Sequence, residues 1–283
     1  MNFPHQLPPH DGHNPVSEYV HVATGGPSAA FFDLDRTLIA GSSAFTLARA
    51  ARAAKLMPTD ELLRDAVSAA MFKMRGDTGR DVAADARDRI LGFIAGRRRD
   101  ELQSLNERVI PVLLGKIRPE ARRLLDLHRH AGRATFIVSA APAEVVEPLA
   151  ASLGMTGGIG TRGVIVDGVY TGEFDGPFCY GQGKVDAIVD LARWDNLDLA
   201  QCYAYSDSSS DLPMLTAVGH PVAVNPDTTL ERHARGHGWP VVHFRQQTRI
   251  VARRALAATG AVAIAAGGFV AGVTVGSRRP RLL

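Results

Sequence analysis

The chain has 283 residues, 46% hydrophobic and 22% charged, with a formal net charge of +3 and a pI of about 9.1. That is enough apolar material for one large or two small cores, and so slight a basic balance, with no nucleic-acid-binding signature, excludes DNA or RNA as the expected partner. Two cysteines, Cys179 and Cys202, match no metal-ligand spacing and no disulfide framework, which suits reduced thiols in a cytosolic protein.

Residues 1–27 hold Pro4, Pro8, Pro9, Pro15 and Pro27 among His5, His10, His13 and His21. With no apolar core this stretch does not read as a signal peptide, and its composition predicts a disordered tail. The histidines are too irregularly spaced to specify a metal site. The apolar run 29–32 predicts a buried strand, because aromatic residues at the end of such a run favour a pleated surface. Asp33 and Asp35 follow at its carboxyl end, where open α/β sheets bind ligands. Two carboxylates so close resist joint ionisation unless a cation lies between them or one stays protonated. Mg²⁺, a hard oxygen-seeking ion, is suited to that place. One carboxylate can then attack phosphorus while the other handles the leaving-group proton.

Helical composition and spacing follow over 44–56, 61–74, 80–94 and 100–114, with Thr59 and Asp60 as N-cap candidates after Pro58 and a turn at Gly76-Asp77-Thr78-Gly79. Four helices with short links predict a small bundle. It occupies 42–115 and interrupts a core formed by 28–41 and 116–247, so it reads as a helical cap. The core resumes with a helix over 118–130 ended by Gly132, a strand over 134–138 tipped by Ser139, and a helix over 142–153. A hairpin over 164–170 turns at Asp167-Gly168. Gly181-Gln182-Gly183-Lys184 precedes a helix over 185–194. The strand 202–205 runs into Ser206-Asp207-Ser208-Ser209-Ser210-Asp211, and strands over 221–224 and 241–244 close the series. Strand, polar tip and helix in repetition predict an α/β fold with a doubly wound, mostly parallel sheet.

Phosphoryl transfer needs a nucleophile, donors or cations for the equatorial oxygens, and a metal to neutralise charge. Asp33 is the candidate nucleophile. Ser139 can donate its hydroxyl to a phosphate oxygen. Lys184, behind glycines near a helix N-terminus, can pair with phosphate. Asp207 and Asp211, four apart at the end of a strand, can both face one cation. Taken singly, Ser139 reads equally as a helix cap, Lys184 as a solvated lysine, and the two aspartates as turn residues.

The order and placement of these groups change that balance. Asp33-Leu34-Asp35-Arg36-Thr37, then Val138-Ser139, then Lys184, then Ser206-Asp207-Ser208-Ser209-Ser210-Asp211 resemble the four motifs of the haloacid-dehalogenase-like (HAD) superfamily, over residues 29–244. The long helical insert, Leu212-Pro213-Met214-Leu215 and the block Ala223-Val224-Asn225-Pro226-Asp227 resemble the subfamily containing phosphoserine phosphatases (HAD-IB). The resemblance implies a Mg²⁺-dependent phosphomonoesterase acting on a small phosphorylated substrate. It implies Asp33 as the residue that becomes an aspartyl-phosphate, Asp35 as general acid/base, and Ser139, Lys184 and Ser210 as phosphate-binding. It implies Mg²⁺ on the Asp33 and Asp207 carboxylates and the Asp35 carbonyl, with Asp211 in support. Two departures stand out. Arg36 occupies a place where the superfamily usually has glycine. Ser42 stands where phosphoserine phosphatases carry the glutamate that reads the substrate amine, so phosphoserine itself does not carry over as the expected substrate. Two alternatives remain open: a phosphotransferase, and a non-catalytic, membrane-tethered binding module.

The C-terminal segment 248–283 contains a charge-free run over 255–276, flanked by Arg253 and Arg254 before and Arg278 and Arg279 after. About 20 such residues span a bilayer, and Gly268, Gly272 and Gly276 have the small-residue spacing of packed membrane helices. The run is mostly alanine and glycine, which weakens its drive to insert. The expectation is a membrane helix that tethers the catalytic domain on the cytosolic face, with phospholipids among the candidate substrates.

Overall fold

The computed structural model of the chain describes residues 27–56 and 79–244. Its centre is a six-stranded sheet in the order β3-β2-β1-β6-β7-β8, every neighbouring pair parallel. The strands are β1 (Ala29–Phe32), β2 (Ala134–Pro142), β3 (Gly157–Thr161), β6 (Tyr203–Ser206), β7 (His220–Val224) and β8 (Val241–Val242). A separate antiparallel hairpin joins β4 (Gly163–Val166) to β5 (Val169–Phe174). Its turn residues Asp167 and Gly168 both have positive φ, 51° and 79°, as a two-residue turn matching the twist of its strands requires. The helices among the described residues are α1 (Ser43–Ala53), α2 (Gly79–Ile94), α3 (Arg99–Ser104), α4 (Asn106–Lys116), α5 (Pro119–His130), α6 (Ala143–Ser152), α7 (Gln182–Trp194), α8 (Leu212–Thr216) and α9 (Thr228–Gly236).

All four residues of β1 are buried, so its side chains feed two cores by the strict alternation of a strand. Phe31, with Phe136 and Ala204 beside it, faces Ile188 of α7, Met214 and Leu215 of α8 and Leu230 of α9. On the other face Phe32 stacks on Tyr205 at 4.6 Å between ring centres, and His128 of α5 meets both rings edge-on. The register sets Phe32 opposite Ile137 on β2 and Tyr205 on β6. Asp33 and Asp207 therefore follow the carboxyl ends of β1 and β6 on the same side of the sheet, where β2 carries Ser139 two residues beyond Ile137.

The segment from α1 to α4 is inserted between β1 and β2. Its two ends run side by side: Ile39 bridges Ile117, Ala40 N donates to the Lys116 carbonyl at 2.9 Å, and Arg118 N donates to the Leu38 carbonyl at 2.9 Å. The described residues up to His243 pack as one compact unit.

Three expectations need correction. The helix expected over 100–114 is two helices, α3 and α4, which break at Leu105, where Leu105 N turns to the Leu102 carbonyl and tightens the ladder. The strand expected over 134–138 continues to Pro142, with an irregular register against β3 between Val138 and Pro142. The strand expected over 241–244 reduces to Val241–Val242 at the sheet edge. Strand β3 and helix α9 were not anticipated. The run 61–74, the tail 1–26 and the segment 255–276 lie outside the described residues. Among those described, no helix is long and apolar enough to cross a membrane.

Candidate active site

The loop after β1 begins with Asp33, whose backbone N–H donates to the Tyr205 carbonyl at 2.9 Å and so continues the sheet one residue past the strand. Its side chain is buried against Lys184: Nζ donates to Asp33 Oδ1 at 2.7 Å and to Asp211 Oδ2 at 2.7 Å. Ser206 Oγ donates to the same Asp211 oxygen at 2.7 Å. Ser206, Asp211, Lys184 and Asp33 thus form one buried polar chain across three loops. Lys184 can reach inward because α7 starts close to the preceding loop. A Cβ on Gly183 would lie 1.9 Å from the Phe178 carbonyl oxygen, so only glycine permits that approach.

The second half of the site is built on Asp207. Its Oδ2 receives Arg36 Nε at 2.7 Å. Asp207 and Asp211, expected to face one cation, each meet a basic side chain, Arg36 and Lys184, and Asp211 adds to the cost of ionising Asp207. Asp227, beyond β7, holds the loop that carries both. Its backbone N–H donates to the Asp207 carbonyl at 2.8 Å, Oδ2 accepts from Ser209 N at 2.7 Å, and Oδ1 caps α9 at Leu230 N at 2.8 Å.

The remaining expected residues lie around this pair. Asp35 Oδ1 accepts from Ser43 N at 2.8 Å, the first turn of α1, so this carboxylate also organises the start of the inserted segment. Ser42 caps the same helix, accepting from Phe45 N at 3.4 Å. Ser139, the sixth residue of β2, is buried and accepts from Ala141 N at 3.2 Å; it does not cap α6, where Pro142 holds that position. Ser210 exchanges a hydrogen bond with Ser208, Oγ to Oγ 2.9 Å. Cys179 and Cys202 are both free and buried.

Burial dominates the electrostatics. It pushes the Asp33 carboxyl up to about 7, with Lys184 opposing and Asp211 and Asp207 reinforcing the shift. It pushes Asp207 up to about 6, with Arg36 opposing. For Lys184 burial disfavours the ammonium, but Asp33 and Asp211 outweigh it and hold the side chain protonated above its ordinary range. Carboxylates whose ionisation is this costly are suited to a cation. The donors here are hard oxygens: one Asp33 oxygen and one Asp207 oxygen beyond those taken by Lys184 and Arg36, with backbone carbonyls nearby. Among the described residues no cluster of three or more His, Cys, Asp or Glu forms an all-protein cage. Mg²⁺ commonly uses one or two carboxylates and takes its other ligands from water and substrate phosphate, so this set fits it.

Four contributors carried no assigned role in the sequence reading. Arg36 registered only as a departure from glycine, and Ser206 and Asp227 only as letters within quoted blocks. The close approach that requires Gly183 depends on the Phe178 carbonyl, which no local pattern reveals.

The structure is thus a parallel α/β sheet whose carboxyl end carries the buried Asp33–Lys184–Asp211 contact, with a segment inserted after the first strand. Residues 30–216 match the family model of haloacid dehalogenase-like hydrolases, and the chain belongs to that family. It is 37% identical to phosphoserine phosphatase SerB1 of Mycobacterium tuberculosis over 98% of this chain and 92% of that protein. It is 38% identical to a probable phosphatase of the same organism, over 84% and 85% of the two chains. Among solved structures, a protein of unknown function from Bordetella pertussis superposes with a TM-score of 0.67 at 29% identity, covering 77% of this chain and 99% of that one. Substrate-bound phosphoserine phosphatase shares the fold with a TM-score of 0.57 at 16% identity, over 81% and 99%.

Proposed function

We propose that the protein hydrolyses a small phosphomonoester through an aspartyl-phosphate on Asp33, with Mg²⁺ as cofactor. The observation that carries this reading is the buried contact of Lys184 with both Asp33 and Asp211 at the carboxyl edge of the sheet. Lys184 steadies the Asp33 carboxylate through Oδ1, and a carboxylate oxygen of Asp33 attacks phosphorus. As the bond from that oxygen to phosphorus forms, the bond from phosphorus to the ester oxygen breaks, and Asp35 supplies the proton to the leaving alcohol. Asp35 then takes a proton from water, which attacks phosphorus and releases inorganic phosphate and the free Asp33 carboxylate. Lys184, Ser139 and Ser210 hold the phosphoryl oxygens. Asp33, Asp207 and the Asp35 carbonyl, with Asp211 in support, would hold Mg²⁺, which would supply neutralisation of the phosphate charge. In this reading residues 42–115 form a cap over a core of 28–41 and 116–247.

The named phosphoserine phosphatases among the relatives favour a small phosphorylated metabolite. Ser42, a neutral helix cap, offers no carboxylate for a substrate amine at its position. The lipid-substrate and membrane-tether expectations rest on 255–276 alone, outside the described residues.

Asp33→Asn keeps the shape and removes the nucleophile. Turnover of a generic phosphomonoester should fall by about 10³-fold or more, with the circular dichroism spectrum unchanged. Acid-quenched wild-type enzyme should carry phosphate on Asp33 by mass spectrometry. A folded variant retaining near wild-type turnover would refute the assignment.

A further inference from the structure

Arg36 is in an unusual position for its residue type. Its φ is 60°, in the left-handed region that a long side chain enters at a cost of roughly 1 kcal/mol and glycine enters freely. Its backbone is held there by the loop, since Arg36 N donates to the Gly41 carbonyl at 3.1 Å and Ile39 N to the Leu34 carbonyl at 3.0 Å. The loop geometry alone calls for glycine. What arginine adds is the 2.7 Å contact between its Nε and Asp207 Oδ2. The guanidinium side chain is 55% exposed and that of Asp207 only 5%, so Arg36 reaches in from the mouth of the site to a carboxylate inside it. Arg118, the first residue after the returning end of the insert, also feels the field of Asp207.

We propose that Arg36 is a built-in rival of the metal ion: by occupying one oxygen of Asp207 it lowers the affinity of the site for Mg²⁺. This rests on the reading of Asp207 as a metal ligand. Two consequences of the geometry lead to it. The Nε contact leaves Asp207 a single oxygen, Oδ1, so the carboxylate meets the ion through one atom rather than two. The guanidinium charge also stays within one carboxylate of a divalent cation, and like charges at that distance repel appreciably even under the partial screening of an exposed group. The neutralisation that the carboxylates need is then partly supplied by the chain itself, and the metal-free site is tolerable. A glycine in the same place would leave Asp207 only the weaker fields of Lys184 and Arg118 in the absence of the ion.

The test is Mg²⁺ binding by isothermal titration calorimetry to metal-free full-length wild type, Arg36→Asn, Arg36→Gly and Arg36→Lys, at low and at moderate salt. Asn tolerates the left-handed backbone and removes the charge; Lys keeps the charge. Arg36→Asn and Arg36→Gly should bind Mg²⁺ about tenfold tighter than wild type at low salt, by an amount that shrinks as salt rises, and Arg36→Lys should stay within about threefold. Binding that is unchanged or weaker in Arg36→Asn, with the wild-type circular dichroism spectrum, overturns the proposal and leaves the metal reading standing. An absence of Mg²⁺ binding in wild type and Arg36→Asn alike overturns both. Binding seen only in the variants supports it.

Discussion

At the scale of single residues, the site works by keeping charges out of water and close to partners. Ser206 shows how narrow the tolerance is. It is fully buried, its hydroxyl donates to Asp211 Oδ2, and Ser208 N donates to it at 3.2 Å. Removing that hydroxyl leaves a buried carboxylate short of a donor, a loss of roughly 1–3 kcal/mol. Ser206→Ala should lower the urea midpoint accordingly and cost about tenfold in turnover, since Asp211 helps hold Lys184 against Asp33. A stability change below about 0.5 kcal/mol would show that Lys184 alone suffices for Asp211. Asp33, Lys184 and Asp207 were legible only as a set, from their order along the chain and their places near strand and helix ends, since each alone reads as a turn or surface residue. Ser206 and Asp227 were not, because serine and aspartate are the ordinary residues of turns and caps, and only the partner across space distinguishes them.

Elements were readable where their apolar period was plain. Helix α5 has Ala121, Leu124, Leu125 and His128 on one buried face, a spacing visible in the letters. Strand β3 defeats the same reading because it is Gly157-Gly158-Ile159-Gly160-Thr161. Glycine is poor strand material in isolation, yet a Cβ at Gly158 would come within 2.7 Å of the Val146 carbonyl oxygen. The glycines let α6 lie close on the sheet, a reason found only in the packing. The same logic gives a prediction at α7. Gly183→Ala forces the helix start away from Phe178 and draws Lys184 off Asp33, so turnover should fall by about 10²-fold or more and the melting temperature should drop. Gly115→Ala, in α4 with nothing within 4 Å of the added methyl, is the control. It should stabilise by about 0.5–1 kcal/mol in a denaturation curve with activity unchanged. Equal turnover in Gly183→Ala and wild type would mean that Lys184 does not depend on the close approach.

At the scale of the whole molecule, the second core contains a buried polar contact remote from the substrate edge. His128 Nε2 lies 2.7 Å from the Tyr205 hydroxyl, and burial, with Arg133 adding to it, lowers the imidazole to about 3. The native state therefore keeps His128 neutral, while the unfolded chain takes up a proton near 6.5. Stability from this group is complete above 6.5 and is lost as pH falls from there toward 3. Asp33 and Asp207, raised by burial, act in the opposite sense over the acid range, so the imidazole is best isolated by difference. The stability gap between wild type and His128→Gln, measured by urea unfolding, should narrow by about 2 kcal/mol between pH 7 and pH 5. A gap independent of pH would mean that His128 takes up its proton as readily in the folded protein as in the unfolded chain. Nothing in the local sequence announces this contact: His128 reads as one of three basic residues in the last turn of α5, and its neighbour on β6 is 77 positions away.

The antiparallel stitch of Ile39 to Ile117, flanked by the Ala40–Lys116 and Leu38–Arg118 hydrogen bonds, has an evolutionary consequence. The inserted segment leaves and rejoins the scaffold at neighbouring points, so its closure is fixed by the stitch rather than by its own length. Lengthening a closed loop costs only slowly more, roughly 0.6 kcal/mol per doubling. Insertions, deletions or wholesale exchange between those two points leave the pairing of β1 with β2 untouched. The edge that carries Asp33 and the segment inserted beyond it can thus change independently, one being traded or resized while the other keeps its geometry.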